Sequence, residues 1–355
     1  MSPCTCDACG ATIYFDNDRC LHCGHALGFV PGECRVAALE AVDAHTWRLL
    51  DTTSSLADRR FKACAHAGAG GPAHPTGLAC NWLLDIEDPQ ALCCACRLTS
   101  HIADLADPAQ RARVARLEAA KRRLLIDLRQ LRLPVFDDET RHPLRFAFLT
   151  DLPGQPPVLT GHAQGLVTIN LKEADDVART RARQALAEPY RTVLGHLRHE
   201  VGHYYWDECF AGQPEALQAC RAHFGDERAD YAQALQAHYD APREDWRDTF
   251  ISAYASAHPW EDWAETWAHA LHLHALLQAT AGFAPALLAD TSPAHAPPWD
   301  DIDAALDHAQ RLTPILNELN RSLGQPDAYP FAIAPAVRDK LCFVHATIQE
   351  HAILG

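Results

Sequence analysis

The chain has 355 residues, 48% hydrophobic and 22% charged, with 31 basic against 46 acidic side chains and a formal charge of −15. That length suits two domains of ordinary size, and the acidic balance argues against a nucleic-acid partner, because an acidic surface repels phosphate. No apolar run approaches the roughly 18 residues of a membrane span, and no charged segment with an apolar core opens the chain as a secretory signal would; a cytoplasmic protein without membrane contact is expected.

Cysteine sets the first part of the chain apart. Eleven of the fourteen lie before residue 97, and in a cytoplasmic chain this favours thiolate–metal sites over disulfides. Cys6-Asp-Ala-Cys9-Gly10 and Cys20-Leu-His-Cys23-Gly24 form C-x2-C-x10-C-x2-C. Two such turns aim four sulfurs at one point, which suits tetrahedral Zn2+, and the glycine after each pair can take a positive φ. A looser set follows, Cys64, Cys80, Cys93 and Cys96, with Cys94 facing elsewhere and His66 or His74 as alternatives to Cys64. Residues 1–105 are therefore expected to form a double zinc-ribbon module holding two structural zinc ions. The module carries seven Lys/Arg against twelve Asp/Glu and lacks basic stripes interleaved with aromatics. It is expected to dock a protein partner or to shield the domain that follows. A closed Cys4 site has no open coordination position and does no chemistry. Cys4, Cys34, Cys209, Cys220 and Cys342 have no partner at metal spacing and read as plain thiols.

Residues 106–355 read as the second domain. Asp107-Pro108 is an N-cap followed by proline at the first helical position. From there Val114, Leu117, Ala120, Leu124, Leu128 and Leu131 recur every three or four residues, which predicts a helix ending near Pro134 with Lys121, Arg122 and Arg123 on a solvated outer face. Arg145–Leu149 and Leu166–Leu171 read as strands of a small sheet, whose edge could pair with an extended peptide. Lys172 to Arg183 begins another helix, with Glu173, Asp175 and Asp176 as surface charges or partners of metal-binding histidines. Further helices are expected around the acidic cluster Gly225–Tyr231, through Trp246–Ala255 and Pro259–Thr280, and over 301–323 and 335–351. The proline-rich stretch 290–301 reads as a linker.

The most informative stretch is Leu194 to Trp206, which contains His199-Glu200-Val201-Gly202-His203. On a helix, positions i and i+4 share a face, so His199 and His203 can hold one Zn2+ while Glu200 reaches the open side of the metal to deprotonate a water. Val193, Leu197, Val201 and Tyr205, spaced by four, supply an apolar stripe beside the histidines. Gly202 costs helix stability, with close packing behind the metal as the expected return.

A catalytic zinc keeps three protein ligands and one water. No third histidine follows at the short metzincin spacing, since position 206 is Trp and 209 is Cys. A glutamate on a later helix is the remaining common solution. In Glu261-Asp-Trp-Ala-Glu265 the two glutamates are i and i+4, so either faces the site, one as ligand and the other as hydrogen-bond partner of a ligand histidine. Asp226, Glu227 and Asp230 are alternatives. The pair resembles the E-x-x-x-D/E of the glutamate-ligand zincins (gluzincins), and that resemblance implies Glu261 as the ligand. It likewise implies an oxyanion role for Tyr254, seven residues earlier, with His258 as its competitor.

The ribbon Cys-x2-Cys-Gly pair, Cys80-Asn-Trp82, Cys93-x2-Cys96-Arg97, Glu118-Ala-Ala-Lys-Arg-Arg123, Thr160-Gly-His162, Glu188-Pro-Tyr-Arg-Thr192, His199 to Trp206, Gly225-Asp-Glu-Arg228 and His258-Pro-Trp-Glu-Asp-Trp-Ala-Glu265 together resemble the bacterial zinc-binding metallopeptidases with an N-terminal zinc ribbon. The likeness covers about residues 4–282. It implies a peptidase acting on a peptide or protein substrate, without naming that substrate. The expected architecture is α+β: the ribbon module, then a mainly helical zincin-like domain with a small sheet, holding one catalytic and two structural zinc ions. Two rival functions remain at this stage, a ribbon-containing regulatory or scaffold protein whose third zinc is structural, and a hydrolase of a non-peptide amide.

Overall fold

The structure, a computed structural model, describes residues 4–67, 78–135, 140–185, 192–283 and 299–353. His74 and nearly all of the expected linker lie outside these residues. The architecture is α+β, a zinc ribbon rich in short strands followed by a largely helical domain with a small sheet.

Strands β1 (Cys4–Thr5) and β2 (Thr12–Ile13) pair antiparallel around the first cysteine turn. Gly10 and Gly24 sit at φ 71° and 79°, the left-handed region that glycine enters without steric cost. After the first cysteine set, and running into the second, comes a five-stranded antiparallel meander that the cysteine spacing does not announce. It consists of β3 (Ala26–Val30), β4 (Arg35–Ala41), β5 (Trp47–Leu49), β6 (Phe61–Ala63) and β7 (Leu83–Asp85), paired in chain order. Phe29 N–H donates to Asn81 O at 2.7 Å, so the first strand meets the approach to the last and the sheet curls toward closure. Both faces of β4 are covered: Val36 and Ala38 join the main core, whereas Ala37 and Leu39 join a smaller cluster with Val30, Leu49, Phe61 and Leu83. A strand buried on both sides loses the apolar–polar alternation that marks a strand in sequence.

A single helical turn, α1 (Cys94–Arg97), leads into β8 (Thr99–Ile102) and then α2 (Pro108–Gln130). Asp107 caps α2, its side chain accepting from Ala109 N at 2.9 Å. Next come β9 (Arg145–Leu149), β10 (Gly161–Ala163) and β11 (Leu166–Asn170). The second sheet runs β10-β11-β9-β8, with β9 parallel to both neighbours and β10 antiparallel at one edge. Strand β8, though inside the first expected module, thus hydrogen-bonds in the sheet of the second.

Lys121 and Arg122 correct the expected solvated face of α2, since both are buried. Lys121 pairs with Glu118 at 2.9 Å, hydrogen-bonds Thr99 of β8, and lies 5.7 and 5.8 Å from the ring centres of Phe146 and Phe148. Arg122 points the other way, toward the carbonyls of Leu78 and Ala79 beside Cys80. Burial works against its charge, but the sulfurs of Cys80, Cys96 and Cys93 and the Glu118 carboxylate hold the guanidinium charged. Of the three, Arg123 reaches the surface, where it pairs with Asp16.

The remaining helices are α3 (Asp176–Ala185), α4 (Val193–Phe210), α5 (Pro214–Phe224), α6 (Tyr231–Asp240), α7 (Pro259–Phe283), α8 (Ile302–Ser322) and α9 (Pro335–Glu350). Two expected helices are absent. Residues 225–230 form a turn, because Gly225 at φ 97° ends α5 and Asp230 caps α6 through Gln233 N. Over Trp246–Ala255 only the one-turn segments Trp246–Asp248 and Tyr254–Ser256 are helical. There Ser252 spends its hydroxyl on Ala255 N–H and on Glu265, side-chain bonding that competes with a regular helix. One apolar core runs from Phe29 and Trp82 through Leu117 and Val201 to Val344.

Candidate metal centre and cleft

Helix α4 begins at Thr192, whose hydroxyl accepts from Gly195 N at 2.9 Å. It packs on α7 at close range because of Gly202, where a Cβ would stand 3.0 Å from Ala264 Cα and 3.2 Å from Ala264 O. The indole N–H of Trp263 completes the contact by donating to Gly202 O at 2.8 Å. This approach brings the histidines of one helix against the glutamates of the other.

Glu261 Oε2 lies 3.0 Å from His199 Nε2 and 3.6 Å from His203 Nε2. The ligand atoms of these three residues all fall within 4.8 Å of one another. Glu261 is 2% exposed, and its Oε2 has no aligned hydrogen bond despite these short distances. Three lone-pair donors converging on a buried point without satisfying each other are what a divalent cation reconciles, and two imidazoles with one carboxylate are a zinc set. Desolvation opposes the Glu261 charge, yet His203 and His199 hold its carboxyl well below the usual range.

Glu265 occupies the other ring nitrogen of His199, with Oε1 2.7 Å from Nδ1, and accepts from Ser252 Oγ at 2.6 Å through Oε2. Burial pushes the Glu265 carboxyl up, but His199 and Ser252 bring it down to about 2. Burial alone would discharge His199, while the two glutamates raise it well above its ordinary value. His203 packs against Trp260 with ring centres 4.0 Å apart and the planes tilted by 40°. Glu200 is buried, and its Oε2 has no hydrogen-bond partner among the described residues.

Tyr254 lies with its ring centre 5.9 Å from that of His199. Its hydroxyl is hydrogen-bonded with that of Tyr231, which donates to Glu261 Oε1 at 2.8 Å. His258 does not fit an oxyanion role. Its Nε2 is 3.1 Å from Ala229 O and its Nδ1 accepts from Trp260 N–H at 3.1 Å, so both ring nitrogens are committed to backbone. The alternative third ligands are committed as well: Glu227 to Arg221 at 2.5 Å, Asp226 to Arg228 at 2.6 Å, and Asp230 to the start of α6. Glu173 meets His196 at 3.2 Å rather than either histidine of the centre, and Asp175 and Asp176 pair with Arg113 and Arg116.

A cleft of about 690 Å³ opens beside these groups, lined by Thr160, Thr192, His196, His199, Glu200, Tyr254, Glu265 and Phe331 among others. Thr160 immediately precedes β10, the outer strand of the second sheet. Tyr231, Ser252 and Trp260 are the contacts that sequence reasoning misses. Tyr231 adjoins the acidic cluster and Ser252 precedes Tyr254 by two, but nothing in their spacing announces the partner.

Two further clusters lie in the ribbon, Cys6, Cys9, Cys20 and Cys23, and the fully buried Cys64, Cys80, Cys93 and Cys96. Sulfur separations of 3.7 and 3.8 Å (Cys6–Cys23, Cys9–Cys20) and 3.7 Å (Cys80–Cys93, Cys80–Cys96) match the tetrahedral edge of about 3.8 Å that a Zn–S bond near 2.3 Å produces. All fourteen cysteines are free, and Cys94 stands outside both clusters. No described helix is long and apolar enough to cross a membrane.

Comparison with known proteins gives two family models and three relatives. A zinc-ribbon domain model matches residues 4–107, and a family model described as putative zinc-binding metallo-peptidase matches residues 110–347. Uncharacterized proteins of Mycobacterium bovis and of two Mycobacterium tuberculosis strains are each 39% identical over 352 residues, covering 98% of this chain and 95% of theirs. No solved structure matches the chain. With the matched segment spanning α2 to α9 and a zinc ribbon ahead of it, the chain belongs to the family of putative zinc-binding metallo-peptidases.

Proposed function

We propose that the protein hydrolyses peptide bonds at the cleft, with His199, His203 and Glu261 holding a catalytic zinc and Glu200 acting as general base. One observation carries this reading: the buried Glu200 carboxylate has an oxygen free of hydrogen bonds and lines the cleft beside the converging ligand atoms. A structural metal site has no use for such a group. Zinc bound there supplies a Lewis acid and lowers the pKa of a water in its open position.

Glu200 takes the proton of the attacking water and returns it to the leaving nitrogen. The Tyr254 hydroxyl, which donates to Tyr231 in the resting site because Tyr231 places its own proton on Glu261, turns to donate to the oxyanion as the carbonyl becomes tetrahedral. Glu265, braced by Ser252, holds the Nδ1 proton of His199 and so turns the Nε2 lone pair toward the metal. The free edge of β10 can align an extended peptide entering past Thr160. The two cysteine clusters hold structural zinc, giving three ions per chain.

Glu200→Gln tests the assignment. The variant is expected to keep all its zinc and to lose about 10²- to 10⁴-fold in kcat/KM on peptides that the wild type cleaves. Loss of one zinc along with activity would make Glu200 a ligand instead.

A further inference from the structure

Among the described residues, the charged side chains that line the cleft besides Glu200 and Glu265 are Arg243 and Arg247. Of the lining histidines, burial brings His269 down to about 4 and keeps His272 well below its ordinary value. Arg243 is already committed, pairing with Asp245 at 2.5 and 3.1 Å. Arg247 is different. Its guanidinium carbon rests 4.5 Å from the Trp246 ring centre, and no carboxylate lies within ion-pair distance of it among the described residues. The turn that carries it is fixed from below, since Thr249 and Phe250 N–H both donate to Trp246 O, at 3.1 and 2.7 Å.

A guanidinium parked on an aromatic ring keeps its N–H edge for a ligand, and that edge matches a carboxylate with two parallel hydrogen bonds. Arg247 lines the cleft while exposed to solvent, so it can meet an entering ligand, and added salt weakens the pairing. The setting sharpens the argument, because a chain of net charge −15 repels anions at long range. Positive charge kept unpaired in this cleft therefore acts locally, on a group already bound.

We propose that Arg247 reads a carboxylate of the substrate, so that the cleft favours peptides presenting either a free C-terminal carboxylate or an Asp or Glu side chain. The inference rests on the peptidase reading and narrows it. It is tested by binding. The zinc-loaded full chain carrying Glu200→Gln is titrated calorimetrically with three forms of one neutral peptide: amidated at its C-terminus, with a free C-terminus, and amidated with one residue replaced by Glu.

At least one carboxylate form is expected to bind roughly tenfold or more tighter than the neutral amide, as a charge-assisted pair should, and which form does so identifies the source. Adding Arg247→Gln removes that advantage, and Arg247→Lys, which keeps the charge but loses the fork, restores part of it. Equal binding of all three forms, or a preference that survives Arg247→Gln, overturns the proposal. Wild-type cleavage of the same peptides keeps the two ideas apart. Carboxylate-dependent binding without cleavage would refute the peptidase reading and leave Arg247 its role, whereas cleavage without preference would do the reverse.

Discussion

Glu265 grips His199 from behind: its Oε1 is 2.7 Å from the Nδ1 that faces away from Glu261, and its Oε2 accepts from Ser252. Glu261 and Glu265 are one helical turn apart, yet this contact gives them different work. A carboxylate that binds metal contributes most of a bond, whereas one that orients a histidine typically contributes 10- to 100-fold in affinity. Glu261→Ala is expected to empty the centre under mild chelator. Glu265→Ala should weaken zinc by about 10- to 100-fold and still fill at micromolar metal. Both variants keep their cysteine-bound zinc. Zinc titration against a competing chelator reads all three outcomes, and a Glu265→Ala protein that cannot be refilled would reverse the assignment.

Gly202 offers a test with a sign. On an exposed helix, Gly→Ala stabilises by about 1 kcal/mol through propensity. Here the added methyl would press on the Ala264 backbone at 3.0 Å and on Trp267 Cβ at 3.2 Å, an overpacking that costs about 1–3 kcal/mol. Gly202→Ala is therefore expected to lower Tm and to weaken zinc at the centre together. A raised Tm would mean that α4 and α7 do not need this closeness.

Beneath the site, Lys340 of α9 reaches Asp262 at 2.6 Å and Thr249 O at 2.8 Å. Burial raises the Asp262 carboxyl to about 7 even with Lys340 beside it. Lys340→Met leaves that carboxyl buried and unpaired, which should cost about 3–5 kcal/mol in chemical denaturation. The double variant Lys340→Met, Asp262→Leu removes both charges and should recover most of the loss. A single variant as stable as wild type would show that water reaches Asp262.

Acid should act through histidines outside the metal centre. Burial lowers His274 to about 3 and His162 to about 4. Both are neutral in the fold and take up a proton more readily when unfolded, near pH 6.5. Their contribution is thus fully present above about pH 6.5 and is lost as pH falls toward the folded values. His274→Phe, whose ring would keep the edge contact with Trp299, should unfold with a shallower pH slope between about 6.5 and 4 than wild type. Urea unfolding of the two proteins at matched pH cancels the zinc loss they share. Parallel slopes would show that His274 titrates normally in the fold.

What could be read without coordinates followed covalent spacing. The i, i+4 rule places His199 and His203 together, and the paired C-x2-C turns present their sulfurs whatever surrounds them. Partners supplied by another part of the chain escaped. Tyr231 meets Glu261 across 30 residues and Lys340 meets Asp262 across 78, and neither residue type signals such a contact. Lys121 and Arg122 misled, because a basic run ordinarily lies in water. Their countercharges come from Glu118 one turn away and, for Arg122, from the sulfurs beside it, so only the fold makes their burial affordable. The meander was illegible where β3 and β4 are covered on both faces, and its other strands are only three residues long.

The helix that carries those two charges fixes how the molecule can be cut. The peptidase match starts at residue 110, within α2, which invites expression of that segment alone. A chain begun there would lose Thr99 from Lys121, the Leu78 and Ala79 carbonyls from Arg122, and β8 from its sheet. Two cations and a strand edge would face solvent along what had been interior. The excised segment should therefore aggregate where the whole chain does not, and a preparation meant for assay has to keep its ribbon.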